Sequence, residues 1–354
     1  MLWHAREKGI EVDWTFYCAL GQLGAMDEKA RALGARIIRS PVPIVKKLEF
    51  LRALRIELLR GKYDVLHCHH DIMSAVYLLA SSGIRIRRRI VHVHNADEAL
   101  PTSSLLKRRF YREPMRRVCL FMADRIVGIS NHTLDTFLAG RKRRPGRDIV
   151  HYYGLDPTPF EHVIADRAGF RRQWDLPDDA RILLFGGRMV PEKNPVFVVD
   201  VLADLRCFES RAVAVLAGVG SQERDVLARA RELGVESSVR LVGWRNDLPE
   251  IMSCGDWFIL PHPEHPMEGF GLAVVEAQLA GLRMLLSRGI PEDPLLPTAC
   301  FRRLPLSGGP KAWAIAAMEL LRNPAPSRTA ALAALQRSPM SMDQALKTLL
   351  ALHT

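Results

Sequence analysis

Long apolar runs, paired cysteines and aspartate pairs are all missing from this chain. No run approaches the roughly 18 apolar residues needed to span a bilayer, so a transmembrane helix is not expected. The opening residues 1–9 are not followed by the apolar core of a secretory signal. Six cysteines, at positions 18, 68, 119, 207, 254 and 300, are scattered with no Cys-x-x-Cys. That argues against structural disulfides and a thiolate zinc site, and makes a reducing cytoplasm the expected compartment. No Asp-x-Asp occurs. Acidic residues are in deficit, with 39 Asp/Glu against 50 Lys/Arg and a net charge of +11.

At 354 residues, 48% hydrophobic and 25% charged, the composition is that of a globular protein of roughly two domains. The charge is uneven. Residues 1–160 hold 28 Lys/Arg against 16 Asp/Glu, and residues 161–354 hold 22 against 23. The excess gathers at Arg85, Arg87, Arg88 and Arg89, at Lys107, Arg108, Arg109, Arg112, Arg116 and Arg117, and at Arg141, Lys142, Arg143, Arg144 and Arg147. Such clusters attract an anionic membrane surface, each residue contributing about 1 kcal/mol near a charged leaflet. Nucleic acid is the other polyanion, but no aromatic-interleaved recognition motif accompanies them.

Short β-rich runs alternate with helical periodicities along the whole chain. In the first half, strands are expected at residues 10–18, 35–39, 64–70, 89–95 and 125–130. Helices are expected between them at 27–33, 48–59 (through Leu48, Leu51, Leu54 and Leu58), 74–80, 105–123 and 133–139. The pattern restarts after Pro157 and Pro159, with strands at 181–187, 212–218, 239–243, 257–261 and 283–287. Alternation of this kind predicts parallel sheets covered on both faces. The expected division is a first Rossmann-like domain over 1–158, a second over 159–323 and a peripheral tail over 324–354.

One stretch concentrates chemistry. In Pro263-Glu-His-Pro-Met-Glu-Gly-Phe-Gly271 the carboxylate of Glu268 precedes two glycines. A helical run follows and carries Glu276, eight residues after Glu268. Glycines allow a close backbone approach to a ligand. The free N–H groups and dipole of a helix start suit a phosphate, and ionised carboxylates accept from hydroxyls. A phosphate between two hydroxyl-rich sugars fits that combination.

Three more strand ends carry related features: Gly187-Arg-Met-Val-Pro-Glu-Lys-Asn194, Ala217-Gly-Val-Gly220 and Val242-Gly-Trp-Arg-Asn-Asp247. With the Glu268/Glu276 pair, their order resembles the GT-B glycosyltransferases. More narrowly, it resembles the large retaining family (family 4, glycosyltransferase group 1) that includes capsule, exopolysaccharide and lipopolysaccharide sugar transferases. Tyr63-Asp-Val-Leu-His67 and Val91-His-Val-His-Asn95 look like strands of exopolysaccharide-type members. The resemblance implies two α/β domains facing across a cleft and a nucleotide-diphosphate sugar donor, with UDP as the expected nucleotide. It further implies a membrane-associated glycan acceptor met at the inner face of the cytoplasmic membrane.

The same resemblance assigns roles. Arg188 and Lys193, beside Gly187, are expected on the donor diphosphate. Glu268 is expected on donor-sugar hydroxyls, with Gly269, Phe270, Gly271 and Leu272 offering N–H groups, and Glu276 on the ribose. Trp244 and Arg245 lie where the family places the nucleobase, and His94 where it meets the donor sugar or the reacting centre. Absence of Asp-x-Asp fits a metal-independent route, so no metal or other cofactor is expected. No general base is expected either, since a phosphate oxygen of the donor is thought to take the acceptor proton. His67, His69, His70, His92 and His94 could form a zinc site, but no carboxylate accompanies them at a known spacing.

Three departures stand out. Relatives open with a strand and a glycine-rich loop before the segment equivalent to residues 10–18; here residues 1–9 look like the end of the first helix. Tyr153 stands in Tyr152-Tyr-Gly-Leu-Asp156 where relatives carry Asn. Ser287-Arg-Gly-Ile-Pro-Glu292 resembles the exopolysaccharide-type subgroup. The short start leaves open a catalytically impaired nucleotide-sugar binder, and the fold leaves open a UDP-sugar epimerase.

Overall fold

The computed structural model describes residues 1–22, 24–95 and 108–354. The chain forms two compact units, Met1–Leu155 with Pro339–Thr354, and Asp156–Ser338.

In the first unit, β1 (Thr15–Cys18) pairs in parallel with β2 (Arg36–Arg39). A separate four-stranded parallel sheet runs β3 (Val65–Cys68), β4 (Arg88–Val93), β5 (Arg125–Gly128) and β6 (Asp148–Val150). The helix Lys47–Gly61 buries Phe50, Leu54 and Leu58, one residue per turn, against Val76, Tyr77 and Ala80. The expected stripe began at Leu48, but that residue is 76% exposed. Phe50 takes the inward position because a fourfold spacing from Leu54 keeps it on one face. The helix expected over 105–123 is found as a π-helical turn, Arg108–Arg112, running into the α-helix Glu113–Met122; residues 105–107 lie outside the described residues.

Residues 324–354, expected at the periphery, divide between the units. The helix Arg328–Arg337 belongs to the second unit, while Met342–His353 returns to the first. There Leu349 and Leu352 are buried against Ile90 of β4 and Val127 of β5. Ala345, Leu346, Leu349 and Leu352 follow helical spacing, so this face needs a partner, and the sheet supplies it.

The second unit carries a six-stranded parallel sheet in the order β12-β11-β10-β7-β8-β9. Its strands are β7 (Arg181–Gly186), β8 (Ala212–Ala217), β9 (Val239–Gly243), β10 (Trp257–Leu260), β11 (Arg283–Ser287) and β12 (Phe301–Leu304). Every residue of β8 and β10 is buried, as a parallel strand covered on both faces requires. The chain winds outward from β7 through β8 to β9, then restarts at β10 on the other side of β7. The ends of β7 and β10 therefore flank a switch point, where open α/β sheets hold their ligands. No helix among the described residues is long and apolar enough to cross a membrane.

Candidate donor site

The loops at the carboxyl ends of β7, β8 and β9 are bound to one another through backbone. Gly187 N–H donates to the Ala217 carbonyl at 2.9 Å, Gly218 N–H to Gly243 at 2.8 Å and Met189 N–H to Val219 at 2.9 Å. A Cβ on Gly218 would lie 1.9 Å from the Gly187 oxygen, and one on Gly220 2.2 Å from the Met189 oxygen. Glycine at these two positions is what allows the loops to close together.

The loop after β10 is braced against the end of β11. Glu268 N–H donates to the Gly289 carbonyl at 2.8 Å, and Ser287 Oγ to the His262 carbonyl at 2.5 Å. Gly289 has no room for a Cβ, which would stand 2.1 Å from the Pro263 oxygen. The ring of Phe270 is buried and anchors the loop, and Gly271, at φ +90°, turns the chain into the helix Leu272–Leu279. The first N–H groups of that helix have no intrahelical acceptors.

Across the switch point, the Lys193 ammonium donates to the Glu268 carboxylate. Both side chains are mostly covered, at 18% and 15% exposure. His262 Nε2 stands 3.7 Å from the same carboxylate. His262 was not expected from the sequence, though its place just past the end of β10 is where such residues gather. Burial lowers its pKa, opposed by the Pro263 carbonyl and Glu268. Arg188 is exposed and has no ion-pair partner among the described residues. Glu276 is half-buried and likewise has neither ion pair nor side-chain hydrogen bond among them; burial raises its pKa. An unpaired cation thus stands on the loop after β7, and an unpaired carboxylate on the helix that follows β10.

The remaining expected residues separate. Trp244 is 69% exposed at the end of β9. Arg245 is committed to Asp247, at 2.7 Å from Nε and 2.5 Å from Nη2, and its guanidinium lies 5.7 Å from the centre of the Trp174 ring. His94 belongs to the first unit. Its Nδ1 meets the Tyr153 hydroxyl at 2.7 Å and its Nε2 meets His69 Nδ1 at 2.9 Å. Its backbone N–H donates to Asp71 at 2.7 Å, and Asp71 also accepts from the Asn95 amide at 2.7 Å. Asp71 and Tyr153 therefore fix His94. Tyr153, expected to be an asparagine from the family resemblance, provides a hydroxyl to that ring. Around it, burial followed by repulsion between imidazoles holds His67 and His92 well below the ordinary histidine pKa.

Many arginines of the first unit are structural. Arg89 donates to Ser81 and to the Ile84 and Ile86 carbonyls, Arg88 to the Thr354 carbonyl, Arg143 to Asp135 and Asn131, and Arg147 to the Leu120 carbonyl.

Glycine-zipped loops and opposed charges gather at a switch point, where α/β sheets hold their ligands. Residues 166–292 match the family described as glycosyl transferases group 1, and residues 4–154 match the glycosyl transferase 4-like domain. The chain belongs to the group 1 glycosyltransferases and is an enzyme of glycan synthesis with the GT-B fold. It is 24% identical, over 74% of its length and 67% of the relative's, to the UDP-Gal:alpha-D-GlcNAc-diphosphoundecaprenol alpha-1,3-galactosyltransferase of Escherichia coli. It is 31% identical to the D-inositol 3-phosphate glycosyltransferase of Mycolicibacterium gilvum, and spans only 50% of that protein. The crystal structure of Anabaena HepE in complex with UDP shares the fold, with a TM-score of 0.71 at 17% identity over 96% of this chain and 98% of that one.

Proposed function

We propose that this enzyme transfers a sugar, with retention of configuration, from a UDP-sugar to a lipid-linked glycan at an anionic membrane surface. The observation that carries the reading is the pairing of Lys193 with Glu268 across the switch point, with Arg188 unpaired beside it. Negative charge builds on the diphosphate as the sugar leaves, and fixed cations aimed there are the largest available catalytic contribution. In this reading Arg188 grips two diphosphate oxygens. Lys193 is held in place by Glu268 until the donor arrives, then divides its charge between carboxylate and phosphate. Glu268 accepts from donor-sugar hydroxyls, and Glu276 from the ribose. Gly269, Gly271 and Leu272 present N–H groups to the phosphates, and Trp244 offers an exposed ring to the base. His94 is the first unit's candidate for the donor sugar or the reacting centre. No metal takes part at the diphosphate, because the two cations supply the charge.

Two facts support the acceptor half. The galactosyltransferase relative acts on a diphosphoundecaprenol acceptor, by its name. In this chain a basic hollow of about 360 Å³ is lined by Arg141, Lys142, Arg144 and Arg147, with Leu120, Leu138 and Asp148. The four cations outnumber the one carboxylate of the lining, Asp148, which suits an anionic leaflet.

The test is transfer and donor hydrolysis with a panel of UDP- and GDP-sugars. Turnover of a UDP-sugar, lost in Arg188→Ala and Glu268→Ala, is the expected result. Full activity in both variants sinks the assignment. Vesicle binding should require anionic lipid and weaken with salt; equal binding to neutral vesicles refutes the membrane half.

A further inference from the structure

A histidine cluster in the first unit extends well beyond His94, the one member assigned to the donor. His67, His69, His92, His94, His151 and His353 form one connected set of ring contacts. Strand alternation places His67 and His69 on one face of the chain through β3, while Cys68 between them is buried in the core on the other. The sequence offers two His-x-His pairs and no carboxylate at a ligand spacing. The sheet adds what linear spacing could not, because β4 runs beside β3 in parallel register and carries His92 onto the same face.

The ring nitrogens offered by His67, His69 and His92 all lie within 4.8 Å of one another. A neutral imidazole has one N–H and one lone pair. His67 faces other imidazole nitrogens on both sides, His353 Nε2 at 3.1 Å and His92 Nδ1 at 3.1 Å. The line of rings ends at His92 Nε2, which is buried with no hydrogen-bond partner. His92 itself is 3% exposed. An unsatisfied polar atom in that position is unfavourable, and a cation shared by three lone pairs relieves the crowding.

We infer that His67, His69 and His92 form a three-imidazole site for a divalent transition metal of the zinc class, with a further position open to water. Imidazole donors without a carboxylate suit zinc, cobalt, nickel or copper and disfavour magnesium and calcium. Zinc–nitrogen bonds of about 2.0–2.1 Å in a tetrahedron set nitrogens about 3.4 Å apart. Side-chain shifts on the order of 1 Å therefore close the site without moving either strand. His69 also meets His94 through Nδ1 at 2.9 Å. A metal held by the other nitrogen of His69 fixes the tautomer of that contact, as hydrogen-bonded partners of metal ligands do.

The probe is Co²⁺, added to tag-free full-length protein stripped with a chelator. Visible d–d bands of a low-coordinate nitrogen site should grow to one equivalent and vanish when Zn²⁺ is added, and the thermal midpoint should rise with either ion. His69 is partly open to solvent, so His69→Gln should fold like the parent, yet lose the bands and the midpoint rise. His162→Gln, in the second unit, should keep both. Absence of the bands and of any midpoint rise in the parent overturns the site. So does metal binding that survives in His69→Gln and in the double variant His67→Gln/His69→Gln.

Discussion

Arg188 and Lys193 are both placed on the donor diphosphate, yet their removal should have different signatures. Arg188 is exposed and unpaired among the described residues, so Arg188→Ala deletes nothing the folded chain uses. Its effect on the melting midpoint should stay within that of an ordinary surface change, about 0.5 kcal/mol. A charge-assisted hydrogen bond to a phosphate contributes about 1.5–3 kcal/mol, so UDP affinity should fall roughly 10- to 150-fold. Lys193→Ala instead strands the Glu268 carboxylate, which is only 15% exposed. The neighbouring imidazole of His262, 3.7 Å away, compensates in part. A loss of about 1–3 kcal/mol follows, or roughly 3–10 °C in a unit of this size. Glu268→Gln in the Lys193→Ala background should recover much of that stability, because no charge is then left unpaired, and should not recover binding. Calorimetric titration with UDP and thermal melts on the four proteins decide the matter. An Arg188→Ala variant that binds UDP within about threefold of the parent refutes the assignment. Lys193→Ala that melts with the parent refutes the ion pair.

Further expectations concern Glu276, Gly289 and Leu352. Burial raises the Glu276 pKa above its ordinary 4.5. The stability tied to this group is therefore full below the unfolded value and lost as pH rises through the folded one. Glu276→Gln removes that loss, so its midpoint should match the parent near pH 4, exceed it at neutral pH, and come with weaker UDP binding; an equal gap at both pH values contradicts the burial argument. Gly289→Ala puts a Cβ 2.1 Å from the Pro263 oxygen. It should cost about 2 kcal/mol or more and displace the Glu268 loop, whereas Gly308→Ala, with its nearest contact at 3.6 Å, should be tolerated. Leu352→Ala should destabilise the first unit by about 2–5 kcal/mol, read as a lower midpoint with UDP binding unchanged; an unaffected midpoint means the last helix does not contribute to that core.

The interior strands were legible in the sequence because parallel strands buried on both faces read as apolar runs. The runs at 212–218 and 257–261 became β8 and β10 with little change of boundary. Two edge strands, β6 and β12, were not legible. Asp148–Val150 has three residues beside a basic loop, and Phe301–Leu304 carries two arginines. Strands with one open edge tolerate such polarity and do not announce themselves by pattern. The donor loops could be listed in order from the sequence, but not who pairs with whom. That Lys193 meets Glu268 depends on β10 lying beside β7, a neighbour relation set by the crossover of the chain. For the same reason Asp71 was missed, since its partners His94 and Asn95 are distant in sequence. Arg245 looked free to meet a base and is held by Asp247 two residues on.

The return of the helix Met342–His353 to the first unit has a consequence for the order of assembly. The second unit is one unbroken stretch, Asp156–Ser338, whereas the first is interrupted by it. During synthesis the later-made unit can close as soon as its own last helix emerges. The earlier-made unit waits with Ile90 and Val127 uncovered until Leu349 and Leu352 arrive. Birth order and completion order are thus reversed, and the exposed sheet face in the interval is where a chaperone would bind a nascent chain of this enzyme.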